Sequence, residues 1–161
     1  MKKTIKVGMA DMNVCVAPDS LITLGLGSCV GIVLYDPKNK IAGLVHVMLP
    51  DSKKIINNTN KAKFVDTGID ITIEAMLKIG AIRNNLVSKI AGGAKMFAFK
   101  SDNPMMRVGE RNINATKEKL KKLNIKIVAE DTGENYGRTI EFFPETGELY
   151  VRSVGQGMKI I

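Results

Sequence analysis

Two apolar runs, Ile32-Val33-Leu34-Tyr35 and Ile41-Ala42-Gly43-Leu44, stand on either side of Asp36-Pro37-Lys38-Asn39, and they constrain the fold more than any other feature of the chain. Pro37 presets φ, and Asp36 and Asn39 tolerate turn geometry, so the runs are expected to pair as an antiparallel hairpin. With Pro37 and Lys38 as the central pair, Asp36 faces Asn39, and Cys29 falls directly opposite His46. Opposed Cβ atoms on one face lie about 4.5–5.5 Å apart, within reach of a thiol and an imidazole. A one-residue slip would turn His46 onto the other face of the sheet.

The residue inventory sharpens the interest of that pair. His46 is the one histidine of the chain, and Cys15 and Cys29 are the two cysteines. A free thiol of pKa near 8.5 is only about 3% thiolate at pH 7, and the thiolate is the nucleophile. A neighbouring imidazolium would stabilise that thiolate and later hand its proton to a leaving amine, the logic of amide hydrolysis. Gly25, Gly27 and Gly31 surround Cys29 and leave the backbone bare, so N–H groups at Gly27 and Ser28 are candidate oxyanion donors. Thr23 is placed to hydrogen-bond a ring nitrogen of His46. The plainer readings stand beside these: a Cys–His cross-strand pair is also ordinary packing, and for Thr23 the residues alone favour a strand residue bonded to backbone. A dinucleotide loop is excluded, because the glycine spacing is one residue too long and a β-rich run follows instead of a helix.

At 161 residues the chain is expected to form a single domain, residues 1–161, with a real core. No apolar run approaches the roughly 18 residues of a membrane span, and Gly8-Met9-Ala10-Asp11 breaks any signal-peptide core after the basic start. The expectation is a cytoplasmic protein, without membrane insertion, whose cysteines stay reduced. One histidine and two cysteines do not make a zinc set, and no carboxylates cluster, so no metal site is expected. The formal charge of +8 invites an acidic partner. Nucleic acid is disfavoured by an aromatic content of 5% and the lack of any RNP-like or finger motif, whereas an acidic protein surface fits.

Along the chain, residues 4–9, 12–17, 21–24, 86–91, 125–130, 138–143 and 148–152 read as further strands. The polar, basic stretch 52–63 reads as a loop on the rim of any site near His46. Val65, Ile69, Ile73, Met76 and Leu77 recur at helical spacing up to Gly80, and Ile113, Thr116, Leu120 and Leu123 form a second inward stripe with Lys117, Lys119, Lys121 and Lys122 facing water. Two helices against eight or more strands give an α+β fold, a mixed β-sandwich or strongly bent sheet with flanking helices.

The blocks Thr23-Leu24-Gly25-Leu26-Gly27-Ser28-Cys29-Val30, Gly43-Leu44-Val45-His46-Val47-Met48-Leu49-Pro50-Asp51-Ser52 and Ile90-Ala91-Gly92-Gly93-Ala94-Lys95-Met96-Phe97 resemble those of the CheD family. So do Val108-Gly109-Glu110-Arg111-Asn112 and the run from Glu130 to Arg138. CheD proteins are the chemoreceptor glutamine deamidases of bacterial and archaeal chemotaxis. The resemblance implies a Cys29 nucleophile with His46 and Thr23, and a fold like toxin-type cysteine deamidase domains. It implies hydrolysis of glutamine side chains on methyl-accepting chemoreceptor helices to glutamate, extending to glutamyl methyl esters, with no cofactor. It also implies a CheC-type response-regulator phosphatase as partner, and hence an alternative role as a phosphatase-activating adaptor. Lys53, Lys54, Lys61 and Lys63 are then candidate cations for steering an acidic receptor helix, with Met96 and Phe97 as apolar contacts. The segment Lys100–Met106 is longer than the family pattern leads one to expect.

Overall fold

A computed structural model describes residues 2–96 and 107–161. Phe97 and the segment 100–106 lie outside the described residues. The strands, in chain order, are β1 (Thr4–Lys6), β2 (Met12–Val16), β3 (Ser20–Leu26), β4 (Val30–Asp36), β5 (Ile41–Val47), β6 (Val87–Gly92), β7 (Lys126–Thr132), β8 (Arg138–Phe143), β9 (Glu148–Ser153) and β10 (Gly157–Ile160). The helices are α1 (Val65–Lys78) and α2 (Val108–Lys122). The strands form two mixed five-stranded sheets, ordered β1-β3-β8-β9-β10 and β2-β5-β4-β6-β7. The expected α+β sandwich with flanking helices is what the chain builds.

Alternation along β4 and β5 explains the layering. Ile32, Leu34, Ile41, Val45 and Val47 face α1 and α2 and form one core with Ile69, Ile73, Met76 and Leu120. Val33, Tyr35, Ala42 and Leu44 face the other way, into a second core with Leu21, Ile140, Phe142 and Val151 of the opposite sheet. Every residue of β4 and β5 is buried, which is why both read as continuous apolar runs rather than alternating ones. At Gly31 a side chain would not fit, since a Cβ there would come 2.7 Å from Ile140 Cδ1. Leu77 departs from the expected core stripe: it is exposed, because it lies at the edge of the face that α1 turns to the sheet.

The hairpin pairs in a different register from the one expected. Asp36 faces Ile41, so the loop is the four residues Pro37–Lys40, closed by Lys40 at φ 55°. Asp36 holds this loop through its carboxylate, which accepts the N–H groups of Lys38 and Asn39 as well as those of Ile82 and the Asn85 side chain. His46 is therefore opposite Gly31, and Cys29 lies just before the strand, diagonal to His46 instead of across from it. The displacement is two residues, so every side chain keeps its face.

Candidate active site

Three segments meet at one edge of the sandwich. β3 brings Thr23 from one sheet, β5 brings His46 from the other, and the turn Gly27-Ser28-Cys29 leads into β4. Between Thr23 and Leu26 the ladder with β8 contains a bulge, and Gly25 sits in it at φ +68°, a backbone conformation that favours glycine. Gly25 thus serves the turn of the strand toward Cys29, and Gly31 makes room between the sheets.

Thr23 and His46 touch across the two sheets, with Oγ1 2.7 Å from Nδ1. The same hydroxyl donates to the carbonyl of Val7 at 2.7 Å. A hydroxyl has one hydrogen, and a carbonyl can only accept, so Oγ1 receives the imidazole bond and Nδ1 carries the proton. Nε2 is left with its lone pair, buried and with no hydrogen-bond partner among the described residues. His46 and Thr23 are fully buried, whereas Cys29 retains 8% of its surface. Of the three, only Cys29 reaches the outside.

The turn that carries Cys29 is held by all of its carbonyls. Gly27 O accepts from Ala94 N at 2.8 Å, Ser28 O from Asn112 Nδ2 at 3.0 Å, and Cys29 O from Gly93 N at 2.8 Å. Gly92 lies so close, at φ +108°, that a Cβ would come within 2.3 Å of Cys29 O. The N–H groups of Gly27 and Ser28 have no backbone acceptor among the described residues.

Burial sets the protonation states. It pushes the Cys29 thiol above its ordinary value, although its own backbone N–H opposes the shift, and it holds His46 below the ordinary imidazole value. Burial thus works against the expected thiolate–imidazolium pair, since removal of both charges from water favours thiol and neutral imidazole. Cys15, buried on β2 with its thiol directed at Asp19 O 3.6 Å away, is pushed up to about 12 by burial and the Asp19 charge.

The lysine loop lies against this edge. Asn60 Nδ2 donates to Ala10 O, and Ala10 N donates to His46 O; Met48 N donates to Lys63 O at 2.8 Å. Lys61 and Lys63 are thereby set beside the end of β5. Lys53 and Lys54 line a cleft of about 400 Å3 with Pro50, Val65 and Arg111. At the loop's crest Ile56 is fully exposed and Ile55 36% so. Met96 is half-exposed and packs on Gly27, where a Cβ would lie 3.2 Å from its Cγ. The stretch read as loop also contains two short 3-10 turns, Ser52–Lys54 and Lys61–Lys63.

The family model described as CheD chemotactic sensory transduction matches residues 48–153. The chain belongs to the CheD family. It is 67% identical over 161 residues, covering 100% of both chains, to the probable chemoreceptor glutamine deamidase CheD of Lachnoclostridium phytofermentans. It is 62% identical over 159 residues, 99% of this chain and 98% of the relative, to that of Caldanaerobacter subterraneus. The chemoreceptor glutamine deamidase CheD of Halalkalibacterium halodurans is 53% identical over 164 residues, with both chains covered in full. The matched family segment begins two residues after His46, so it is the full-length relatives that span the Thr23, Cys29 and His46 region of this CheD-family chain.

What the sequence reading missed is Asn112 and the Gly92–Ala94 backbone. The signal for Asn112 was available: it falls four residues before Thr116 and eight before Leu120, on the inward stripe of α2, where a carboxamide needs partners. Among the described residues no three His, Cys, Asp or Glu side chains converge to hold a metal ion, and no helix is long and apolar enough to cross a membrane.

Proposed function

We propose that this protein hydrolyses glutamine side-chain amides on chemoreceptor helices to glutamate, releasing ammonia, with Cys29 as nucleophile and His46 as proton carrier. The observation that carries the reading is the polarised imidazole: Thr23 accepts from Nδ1, and the unpartnered Nε2 remains free as a base on the face shared with the thiol. The names of the full-length relatives supply the substrate.

In this mechanism Nε2 takes the proton of Cys29 as the sulfur attacks the amide carbon. The resulting oxyanion is met by N–H groups of Gly27 and Ser28. Nε2–H then protonates the departing nitrogen, the C–N bond breaks, and ammonia leaves a glutamyl thioester. Water attacks the thioester with His46 again as base, giving glutamate and the free thiol. A glutamyl methyl ester would follow the same course with methanol as leaving group. Because burial disfavours the ion pair, His46 works as a base during attack, not as a counter-ion to a preformed thiolate.

Receptor docking is assigned to the rim formed by Met96 and the loop bearing Lys53, Lys54, Lys61 and Lys63. For a CheC-type phosphatase we propose the same face, on the family resemblance alone, so that it would compete with receptor. Mass spectrometry of receptor incubated with the protein tests the reading. Glutamine-to-glutamate conversion and ammonia release without chain cleavage are expected; unchanged receptor, or cleaved receptor, would refute it.

A further inference from the structure

The proposed chemistry makes no use of the buried carboxamide beside it. Asn112 is completely buried on the sheet-facing side of α2. Its Nδ2 donates to Ser28 O and to Met48 O, each at 3.0 Å. Ser28 directly precedes Cys29, and Met48 lies two residues beyond His46. Both partners are carbonyls, so the amide has one orientation; reversed, its oxygen would face two acceptors.

The place of this bridge matters. β4 and β5 pair up to Val30 opposite Val47, and there the ladder ends. Past that rung no backbone bond between the two segments fixes where Cys29 lies relative to the end of β5. Asn112 spans the gap at that point and acts as an additional rung made by a side chain. Its own stability is not the reason for it. Asparagine is a weaker helix former than leucine, and Oδ1 is left buried with no hydrogen-bond partner among the described residues. Among the described residues four buried side-chain atoms lack a hydrogen bond, and two of them, Asn112 Oδ1 and His46 Nε2, belong to this one edge. An apolar residue would pack this position without an orphaned acceptor, but it would release both carbonyls.

We infer that Asn112 is a positioning residue that fixes the Cys29 thiol relative to the His46 imidazole by clamping the turn before one to the strand end after the other. The inference rests on the reading of Cys29 and His46 as nucleophile and base, and it assigns Asn112 no contact with substrate.

The test compares Asn112→Ala with Thr116→Ala in the full chain. Thr116 is buried one turn further along α2 and donates to Asn112 O at 2.7 Å, so its loss disturbs the same helix without releasing either carbonyl. Expected for Asn112→Ala is a fall in kcat of about a hundredfold, the scale of a misplacement near 1 Å, with KM within about twofold of wild type. Thr116→Ala is expected to lower Tm and keep kcat. If Asn112→Ala does not fold, Asn112→Ser, which keeps one donor, carries the same comparison with an intermediate loss. Wild-type kcat in the Asn112 variant overturns the inference, and so does a kcat loss in Thr116→Ala that matches it. Undiminished deamidation by Cys29→Ala would instead overturn the underlying mechanism, so the two failures are distinguishable.

Discussion

Thr23 and His46 are joined across the two sheets by a bond of 2.7 Å that fixes which ring nitrogen carries the proton, because the Thr23 hydroxyl has spent its own hydrogen on Val7. A side chain that transfers no proton thus determines which ring nitrogen keeps its lone pair. Without Oγ1, Nδ1–H would be buried with no acceptor, at a cost of about 1–3 kcal/mol. The ring would relieve that cost by turning or by moving its proton to Nε2, and either change disables the base.

Thr23→Val keeps the shape of the side chain and removes its oxygen. It is expected to lower kcat roughly tenfold to a hundredfold with little change in KM, and Thr23→Ser should restore most of the loss. Since the chain has a single histidine, the imidazole nitrogen resonances report one residue, and in the wild type they should show the Nδ1–H tautomer. An Nε2–H tautomer in the wild type would overturn the assignment.

The register shift shows how much of this was legible beforehand. The apolar runs identified the hairpin, and the two-residue period fixed which side chains share a face. The loop length did not follow, because Lys40 closes the turn in a left-handed conformation that neither Pro37 nor Asn39 signals. The pairing moved by an even number, so Cys29 and His46 stayed on one face although they are diagonal. The Thr23 contact needs two sheets to stack, and no local pattern in β3 encodes that. For the same reason Asn112 could be recognised only as a polar residue on an inward stripe, without its two carbonyls. β10 went unread because all four of its residues are exposed and carry no apolar alternation.

The pH response follows from burial. His46 titrates below its unfolded value, so the unfolded chain binds the extra proton first, and stability falls as the pH drops below about 6.5 toward the folded value. Cys29 is raised, and Cys15 is raised to about 12, so the unfolded chain loses those protons first and stability falls again above about pH 8.5. Denaturant melts across pH should show a plateau between the two limbs. Alkylation of Cys29 by iodoacetamide should be slow at neutral pH and climb into the alkaline range. A rate already at its plateau below pH 7 would restore the ion-pair picture.

The two cysteines should separate cleanly. Cys29→Ala is expected to abolish turnover and leave the melting profile close to that of wild type. Cys15→Ala removes a buried sulfur from the inter-sheet core, so it should lower stability by about 1 kcal/mol while kcat is kept. Equal loss of activity from both would refute the assignment of the nucleophile.

The lysine loop is held firmly at its base and free at its crest. Asp66 accepts Ser52 N and Oγ, Asn58 Nδ2 donates to Ser52 O, and Thr67 Oγ1 donates to Lys61 O, so both ends are tied to the start of α1. Between them Lys53, Lys54 and Lys61 are exposed around Ile55 and Ile56. Charges in that setting act on encounter with an acidic helix, and their reach is about 8 Å at physiological salt. Each deamidation also adds a carboxylate to the substrate, so the same lysines should favour product over substrate. Raising salt is expected to raise KM for receptor with kcat nearly unchanged, and replacement of Lys53, Lys54, Lys61 and Lys63 by Gln should mimic high salt and flatten the dependence. Ile56→Ser, which leaves the charges in place, should raise KM at every salt concentration alike if the crest touches receptor. Steady-state kinetics on intact receptor across ionic strength reads all three. Wild-type KM and salt response in the quadruple variant would show the lysines to be merely solvated, and recognition would then fall to apolar contacts such as Met96.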